Sequence, residues 1–470
     1  MDKFRTESDS LGEKEVPCDA YYGIHTLRSV ENFRISGIMM YDEMIKSIIY
    51  LKISCAKANM ELKAINEGKG EAIIRASEEI LKNFGKYKAQ FPVDIFQAGS
   101  GTSLNMNINE VIANLAVEIL NKRHSTKNFG KKTIHPNDDV NKGQSTNDII
   151  PSAMKISAYL LSENLIYAQE NLENVLSDKG NEFKDILKSG RTHLQDAVPM
   201  TLGQEFDAYS RAIEKDIERV KFAKIFLQEL AIGGNAIGTG INTHSKFREI
   251  IVKHLNFYLK RNFVPAKNRI EGVQFLTDIA NFSSALKMVA IDLNKISNDL
   301  RLLNSGPYTG FNEIFLPAVE PGSSIMPGKI NPSICEAINQ ICYKVMGNDL
   351  TITNCCAAGQ LELNTHMPVI AHSLIESVKI LTNGINIFAE KTVKGIKANE
   401  ERCKFYAENS LSLITALNNI LGYDKCVEIA KERIKTNKSI REIIIEKGYL
   451  SRDEIEKFLN VKFLTGEKQK

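Results

Sequence analysis

Residues 275–303 read FLTDIANFSSALKMVAIDLNKISNDLRLL. Apolar side chains recur there at alternating steps of four and three residues, at Phe275, Ile279, Phe282, Leu286, Val289, Leu293, Ile296, Leu300 and Leu303. A spacing of about 3.5 residues predicts a long helix that packs in a left-handed bundle. Since a helix of about 30 residues is about 45 Å long, it needs long neighbouring helices, from the same chain or from other subunits.

Two further segments, 148–177 and 202–230, show a similar helical pattern. Pro151 fits the first of them because it falls in the predicted opening turn, where proline is tolerated. Thr201, with Gln204 three residues later, predicts a capping box at the start of the second. Strand-like alternation is scarce. We therefore expect a mainly α protein with a long central helical bundle.

The two ends of the chain differ from this centre. The N-terminal part predicts helices near 43–66 and 70–84, a polar loop around 99–107 and short hairpins near its start. The C-terminal part is charged, and Ser451 with Glu454 predicts a capping box there. The expected domains are an N-terminal mixed, mostly helical domain (1–142), a central long-helix bundle (143–396) and a small C-terminal helical domain (397–470).

Composition excludes several classes of protein. The 470-residue chain is 43% hydrophobic, and its 60 basic and 57 acidic residues leave a formal charge of +3. No stripe of Lys and Arg interleaved with aromatic residues is present, which argues against a nucleic-acid partner. No apolar run reaches the roughly 18 residues of a membrane span, and acidic and polar residues follow the opening MDKFR instead of a signal-peptide core. We expect a cytoplasmic protein without membrane association.

Cysteine and histidine usage gives no sign of a metal centre. The eight cysteines are scattered without CxxC spacing, and the eight histidines also lack the spacing of ligands. This pattern is typical of reduced, mostly packed thiols, and it favours neither a disulfide framework nor a zinc site. We expect no catalytic metal and no organic cofactor.

The segment most suggestive of chemistry is residues 322–332, GSSIMPGKINP. It combines a Gly/Ser bend, two adjacent hydroxyl groups and a single lysine, and Asn331 is expected to cap a helix that follows Pro332. Glycine gives such a loop flexibility and proline gives it rigidity. We interpret the segment as a catalytic lid rather than a linker.

Three other segments combine small hydroxyl or amide side chains with glycine or with a following helix. They are GSGTSLN at 99–105, QSTND at 144–148 and GRTHLQD at 190–196. Backbone N–H groups and side-chain donors near helix N-termini stabilise anions. The four segments together predict a receptor for a dianion.

A structural interpretation is available for each of these residues taken alone. Ser145 with Asp148 is an ordinary N-cap pattern. A single histidine such as His193 is more often a hydrogen-bonded core or surface residue than a catalytic one, and Lys329 alone would be a solvated charge. The functional interpretation rests on the coincidence of all four segments.

GSSIMPGKINP resembles the signature of the fumarase/aspartase superfamily. The resemblance runs nearly end to end: LGEKEVP at 11–17, DAYYGI at 19–24 and KANEER at 397–402 also match the family pattern. It implies a three-domain, mainly α fold with a long central helical bundle. It also implies a homotetrameric lyase that eliminates a group from a succinyl-type substrate to release fumarate, with each active site assembled from three subunits.

The resemblance carries roles onto individual residues. Ser323 would be the general base, in an electropositive niche to which Lys329 and the loop amides contribute. Thr102, Ser145, Thr146 and Ser324 would hold the β-carboxylate; Thr192, Lys329 and Asn331 would hold the α-carboxylate; Asn147 and His193 would face the leaving amino group.

Three features favour ammonia as the leaving group. Thr146 and Val198 stand where fumarases usually carry serine and threonine, and AYYGI at 20–24 is similar to the aspartase version. We expect elimination of ammonia from L-aspartate through an aci-carboxylate. Hydration of fumarate, a lyase reaction on an N-substituted aspartate, and a structural or regulatory oligomer without activity are the alternatives.

Several positions depart from the aspartase pattern. Thr365, His366 and Met367 replace Val-Met-Glu, and Tyr308 stands where arginine is usual. HPND at 135–138 is closer to the fumarase version, Asp139 replaces a common histidine, and the pair at 234–235 also differs. These changes could reshape the pocket, the subunit contacts or an activator site.

Overall fold

A computed structural model describes residues 3–124 and 133–465, which are mainly α-helical with four two-stranded sheets. The helices are α1 (Ile24–Asn32), α2 (Asp42–Glu61), α3 (Glu67–Lys82), α4 (Phe84–Tyr87), α5 (Thr102–His124), α6 (Thr146–Glu182), α7 (Leu202–Phe226), α8 (Phe247–Leu259), α9 (Arg269–Gln274), α10 (Thr277–Leu303), α11 (Ser333–Ala357), α12 (Met367–Lys391), α13 (Glu400–Asn409), α14 (Leu413–Leu421), α15 (Tyr423–Thr436), α16 (Ile440–Glu446), α17 (Arg452–Phe458) and α18 (Val461–Leu464). The strands are β1 (Phe4–Asp9), β2 (Gly12–Pro17), β3 (Leu187–Thr192), β4 (Gln195–Thr201), β5 (Glu229–Leu230), β6 (Val264–Pro265), β7 (Ile314–Phe315) and β8 (Lys397–Ala398). The mainly α fold is confirmed.

The chain packs as two compact units, each built from three separate segments. Unit 1 consists of Met1–Leu165, Arg219–Lys287 and Lys344–Ile380. Unit 2 consists of Ile166–Glu218, Met288–Tyr343 and Leu381–Lys470. The longest helices, α6, α7, α10, α11 and α12, each contribute residues to both units. The division into three domains stays a prediction.

Helix α10 forms almost where the heptad pattern predicts it. It spans Thr277–Leu303, and the eight apolar positions from Ile279 to Leu303 are at most 5% exposed. Phe275 precedes the helix and is 55% exposed, so the buried seam begins one step later than predicted. Burial of the seam accounts for the length of this helix, because packing stabilises a helix more than propensity does.

Polar contacts tie neighbouring long helices together within each unit. The unit 1 pairs are Lys155–Asp278 (2.6 Å between α6 and α10), Ser283–Asp349 (2.8 Å between α10 and α11) and Asn348–Ser377 (3.0 Å between α11 and α12). The unit 2 pairs are Ser210–Glu173 (3.1 Å between α7 and α6), Tyr209–Asp299 (2.8 Å between α7 and α10) and Ser297 to the carbonyl of Cys335 (2.7 Å between α10 and α11). The predicted helical bundle is therefore present.

Three local predictions were wrong at their boundaries. The polar loop expected at 99–107 ends at Gly101, because α5 begins at Thr102. Helix α6 begins at Thr146, two residues early, which places Pro151 in the second turn rather than in the opening one. The helix expected to reach residue 230 ends at Phe226, and Glu229–Leu230 pairs with Val264–Pro265 as a strand.

Other local predictions are confirmed. Thr201 and Gln204 form a reciprocal capping box at 3.0 Å in both directions, and Ser451 with Glu454 forms another. The expected N-terminal hairpin is β1 paired with β2. Within the described ranges, the helices are too short or too polar for any of them to cross a membrane.

Leu286→Ala tests the importance of the α10 seam. Leu286 is fully buried, so removing its side chain should lower the free energy of unfolding by about 2–5 kcal/mol, seen as a lower urea midpoint. Leu286→Met keeps the volume and should cost less than about 1.5 kcal/mol. Equal midpoints for the two variants would show that this seam is not tightly packed.

Candidate active site

Unit 1 carries the predicted residues Thr102, Ser145, Thr146 and Asn147, at the starts of α5 and α6. The hydroxyls of Ser100 and Thr102 are 2.9 Å apart. Asn105, one turn into α5, donates from Nδ2 to Oγ1 of Thr146 at 3.1 Å. The starts of α5 and α6 therefore meet at Asn105 and Thr146, and hydroxyl groups and unpaired N–H groups at helix starts generally attract anions.

Ser145 caps α6, as the structural interpretation of the sequence predicts. Its Oγ accepts from the N–H of Asn147 at 3.2 Å, while its own N–H donates to Oδ1 of Asp148 at 3.0 Å. Because the Oγ accepts, the hydroxyl hydrogen of Ser145 stays available to a ligand. Capping and substrate binding are compatible roles for this residue.

Asp148 holds this segment in place through buried hydrogen bonds. It is fully buried, and its Oδ2 accepts from the N–H groups of Gly233 at 3.0 Å and Asn235 at 2.8 Å. Burial raises the pKa of Asp148 to about 6, against the opposing effect of the hydrogen bonds from Ser145, Asn235 and Gly233. Asn235, one of the altered pair at 234–235, therefore supports the QSTND segment through its backbone N–H.

The amide of Asn147 has a fixed direction. Its Nδ2 donates to the carbonyl of Ala236 at 2.8 Å, and a carbonyl can only accept. The Oδ1 atom receives no hydrogen bond from the residues described, so it is free to accept one from an amino or ammonium group.

Lys52 is a buried residue that the sequence prediction missed. It is fully buried on α2 and donates to Oδ1 of Asn141 and Oε1 of Gln144, both at 2.9 Å. Burial lowers the pKa of Lys52 to about 7. A lone lysine in the apolar run IIYLKISCA at 48–56 was the available signal, since lysine is almost never buried without partners.

Unit 2 carries Thr192 and His193 at the tip of the β3–β4 hairpin. His193 and Leu194 form its two-residue turn with φ of 59° and 57°, the region of a type I′ turn that normally favours Asn and Gly. The side chains of Thr192, His193 and Leu194 are exposed. This strained conformation is typical of a functional segment held in place by its surroundings.

A buried ion cluster holds strand β3 of this hairpin, and the sequence prediction did not include it. Arg191 pairs with both carboxylate oxygens of Glu313, at 3.0 and 2.9 Å, and its guanidinium lies 4.3 Å from the ring centroid of Phe311. Glu313 is fully buried, and Lys188 lies 3.5 Å from it. A two-pronged pair of this kind fixes direction as well as distance, so it orients the residues that follow Arg191.

The signature segment forms a loop closed at its base. The N–H of Gly322 donates to the carbonyl of Lys329 at 2.9 Å, and Nδ2 of Asn331 donates to the carbonyl of Gly322 at 2.6 Å. The expected helix cap by Asn331 was wrong: α11 begins at Ser333, and the Asn331 side chain closes the loop instead. The helix predicted to follow Pro332 is confirmed.

Ser323 lies inside this loop. Its Oγ accepts from the N–H of Ile325 at 3.2 Å and from the N–H of Met326 at 3.0 Å. Two N–H groups aimed at one oxygen stabilise negative charge on it. The side chains of Ser324 and Lys329 are exposed. The loop could thus present a base and a cation to a bound anion.

The departures at 365–367 lie against the GSGTSLN segment. The N–H of Met367 donates to the carbonyl of Gly99 at 3.0 Å, and a Cβ on Gly99 would be 1.9 Å from the carbonyl oxygen of Thr365. The Nδ1 atom of His366 is buried and has no partner among the described residues. Tyr308 is 93% exposed, and Asp139 pairs with Lys69 at 2.9 Å.

The structure distributes the predicted residues over the two units. The unit 1 set is Thr102, Ser145, Thr146 and Asn147; the unit 2 set is Thr192, His193, Ser323, Ser324, Lys329 and Asn331. Across the described part of unit 2, no hydrogen bond joins the hairpin tip to the signature loop. Among the residues that the structure covers, His, Cys, Asp and Glu side chains form no cluster of three or more that could hold a metal ion.

Comparison with known proteins gives consistent matches over most of the chain. Residues 12–347 match a family described as lyase, and residues 413–466 match the fumarase C C-terminus. The chain is 45% identical over 460 residues to the aspartate ammonia-lyase of Bacillus subtilis (strain 168), covering 97% of this chain and 95% of that protein. It is 46% identical over 454 residues to the aspartate ammonia-lyase of Helicobacter pylori (strain 26695), covering 96% of each.

A solved structure is also similar. The crystal structure of class II fumarase from Schistosoma mansoni superposes with a TM-score of 0.94 at 35% identity, covering 99% of this chain and all of that one.

Gly322→Ala tests the closure of the signature loop. A Cβ on Gly322 would lie 2.4 Å from the Lys329 carbonyl and 2.7 Å from the Asn331 nitrogen, so the base of the loop would open. We expect turnover to fall on the order of 100-fold, with little change in thermal stability because the loop is exposed. Gly85→Ala, where nothing lies within 4 Å, should keep normal turnover. Normal turnover in Gly322→Ala would show that loop closure is dispensable.

Proposed function

Because the chain belongs to the fumarase/aspartase superfamily of lyases, we propose that it catalyses the reversible elimination of ammonia from L-aspartate to give fumarate. Relatives named aspartate ammonia-lyase match nearly the whole chain at 45–46% identity. Thr146 and Val198, where fumarases usually carry serine and threonine, support the same choice of leaving group.

The reaction sets a clear electrostatic requirement. Removing a proton from the carbon next to a carboxylate produces a doubly charged aci-carboxylate, so the enzyme needs preorganised donors around that carboxylate and a base above the carbon. Both kinds of group occur in the segments described above.

The observation that carries the proposal is the environment of Ser323. A serine hydroxyl ordinarily holds its proton too firmly to act as a base. Two backbone N–H groups already point at its oxygen, from Ile325 and Met326, and they would stabilise the oxygen as it loses its proton. Lys329 on the same loop adds positive charge. We assign Ser323 as the general base of the elimination.

The β-carboxylate would be held by Thr102, Ser145, Thr146 and Ser324. Ser145 and Thr146 stand at the N-terminus of α6, where the helix dipole and the unpaired N–H groups favour negative charge. Their oxygens already accept hydrogen bonds from Asn147 and Asn105, which leaves each hydroxyl hydrogen for the carboxylate. These donors would strengthen as charge develops in the transition state.

The other end of the substrate would meet the remaining residues. Thr192, Lys329 and Asn331 would hold the α-carboxylate, and His193 with Asn147 would face the amino group. The free Oδ1 of Asn147 is a suitable acceptor for an ammonium group. His193, on its strained turn, would exchange a proton with the departing ammonia.

We further propose a homotetramer in which three subunits share each active site. The long helices expose large apolar side chains: on α7, Phe222 (64%) and Ile225 (58%), and on α11, Tyr343 (59%) and Leu350 (63%). Exposed apolar side chains of this size are typical of protein interfaces. The cytoplasmic location expected from the sequence stays a prediction.

Two other activities have specific support. Hydration of fumarate is favoured by the similarity to the Schistosoma mansoni fumarase. A lyase reaction on an N-substituted aspartate is favoured by the altered segment 365–367, which contacts the GSGTSLN segment.

Ultraviolet absorbance of the purified protein with L-aspartate or with L-malate tests the proposed reaction. Because fumarate absorbs where neither substrate does, we expect absorbance to rise with aspartate, accompanied by one ammonia per fumarate. A rise with malate alone would make the protein a fumarase and would show that Thr146 and Val198 do not set the leaving group. No rise with either would favour substituted aspartates.

Mixed oligomers test the shared site. Ser323→Ala removes the base and should lower kcat by about 10²–10⁴-fold, and Thr146→Val removes a carboxylate donor. If the two residues enter each site from different subunits, hybrids formed by refolding the two variants together should regain part of the activity. Sedimentation should give an assembly of four 52.6 kDa chains.

A mixture of Ser323→Ala with Lys329→Met is the matched control. Both residues belong to one loop of one chain, so no hybrid site of that pair contains an intact loop. Failure of the Ser323→Ala and Thr146→Val mixture to exceed this control would contradict shared sites. Near-normal turnover by Ser323→Ala alone would refute its role as the base.

A further inference from the structure

Asn105 is a buried amide whose two hydrogens are both in use. It is 1% exposed, and its Nδ2 donates to Oγ1 of Thr146 at 3.1 Å and to Oδ1 of Asn141 at 3.3 Å. Its own Oδ1 is buried without a partner among the described residues. Asn105 therefore acts only as a donor, on the side that faces Thr146.

The direction of this amide follows from its neighbour. Nδ2 of Asn141 donates to the backbone carbonyl of Gln144 at 3.2 Å, and a carbonyl can only accept. The other end of the Asn141 amide must then be its oxygen, and Lys52 donates to that oxygen at 2.9 Å. Every group that approaches Oδ1 of Asn141 has to be a donor.

A reversed Asn105 amide would bring two oxygens together without a hydrogen between them. Its oxygen would face Oδ1 of Asn141 across 3.3 Å, a buried contact between two acceptors that repel each other and have lost the hydrogen bond between them. The order of donors and acceptors from Lys52 through Asn141 to Asn105 is therefore fixed. It ends with an N–H group on the Thr146 oxygen.

A threonine hydroxyl has one hydrogen and two lone pairs. At Thr146, a lone pair receives the Asn105 N–H, so the hydroxyl hydrogen has to point elsewhere. No described residue accepts it in a hydrogen bond. Thr146 is 8% exposed and opens α6, where a carboxylate could lie and accept that hydrogen.

We propose that Asn105 is a positioning residue that fixes the Thr146 hydroxyl as a hydrogen-bond donor to a substrate carboxylate. This inference rests on the proposed function, in which Thr146 holds the β-carboxylate. Preorganisation of this kind removes the need to turn the hydroxyl during the reaction, and donors aimed at developing charge have large effects on rate.

Asn105→Asp keeps the shape of the side chain but replaces the group that donates to Thr146 with an acceptor. A carboxylate cannot donate, so it would accept the Thr146 hydrogen and turn the hydroxyl away from the substrate. We expect kcat/KM for L-aspartate to fall on the order of 100-fold. Activity should recover partly as the pH is lowered, because the introduced carboxyl group can donate again once it is protonated; the wild type should show no such recovery.

Asn109→Asp is the matched control. Asn109 lies one turn further along α5, is fully buried and donates to the same Oδ1 of Asn141 at 3.3 Å, but it makes no hydrogen bond to Thr146. The Asn109→Asp substitution therefore introduces an equivalent buried acid next to the same hydrogen-bond network. We expect a smaller loss of kcat/KM and no recovery at lower pH.

A mutant cycle keeps the test decisive if a buried acid impairs folding. Asn105→Ala should lower kcat/KM in the wild type but should have no further effect when Thr146 is already valine. If Asn105→Ala lowers kcat/KM by the same factor with Thr146 and with valine at 146, the proposal is overturned. Equal losses of kcat/KM with flat pH profiles in Asn105→Asp and Asn109→Asp would also overturn it.

The activity of the wild type distinguishes a failure of this inference from a failure of the proposed function. If the wild type acts on L-malate instead, the same variants are compared with L-malate and decide the inference in the same way. If it turns over neither substrate, calorimetric binding of succinate replaces kcat/KM. Weaker binding by Asn105→Asp than by Asn109→Asp supports the positioning role, and equal binding refutes it.

Discussion

Burial of the apolar seams of the long helices is the constraint on which the other features depend. On α10, the eight seam residues from Ile279 to Leu303 are at most 5% exposed. Helices α6, α7, α10, α11 and α12 each contribute to both packed units. Because a helix is stiff, packing along its length also fixes the position of its first residue. The loops that precede α5, α6 and α11 therefore start from defined positions and present their hydroxyl and N–H groups in defined directions.

Buried polar groups limit these loops further. Lys52, Asp148 and Asn105 are each at most 1% exposed, and a buried polar group without a partner is costly. Because the amide of Asn141 has one end fixed by a backbone carbonyl, the network has a single order of donors and acceptors. In unit 2 the buried pair of Arg191 and Glu313 has a similar effect on the hairpin that carries Thr192 and His193. In both units, buried polar groups thus hold the polar segments that carry the candidate site residues.

Predictions from sequence were most accurate where the signal repeats or is local. The heptad pattern located α10 to within two residues at its start, and the capping boxes at Thr201 and Ser451 formed as expected. The prediction of a polar loop over 99–107 was wrong beyond Gly101 because polar residues can also be buried within a helix. Asn105 and Asn107 are instead buried in α5, and Asn107 donates to the carbonyl of Gln90 at 2.9 Å. Asn331 was assigned to a helix cap because a cap needs only neighbours in sequence, whereas its actual partner, Gly322, is nine residues away.

Periodicity and motif order are properties of neighbouring residues, so the long helices, the four polar segments and the similarity to the fumarase/aspartase superfamily could all be predicted from the chain alone. The directions of the polar groups could not, because they depend on the folded structure. The direction of the Thr146 hydroxyl depends on Asn105, that of Asn105 on Asn141, and Asn141 also meets a lysine on α2 that no motif marks. A hydrogen bond has a direction as well as a length, and its direction is set by partners that are far apart in the chain and meet only when the helices pack.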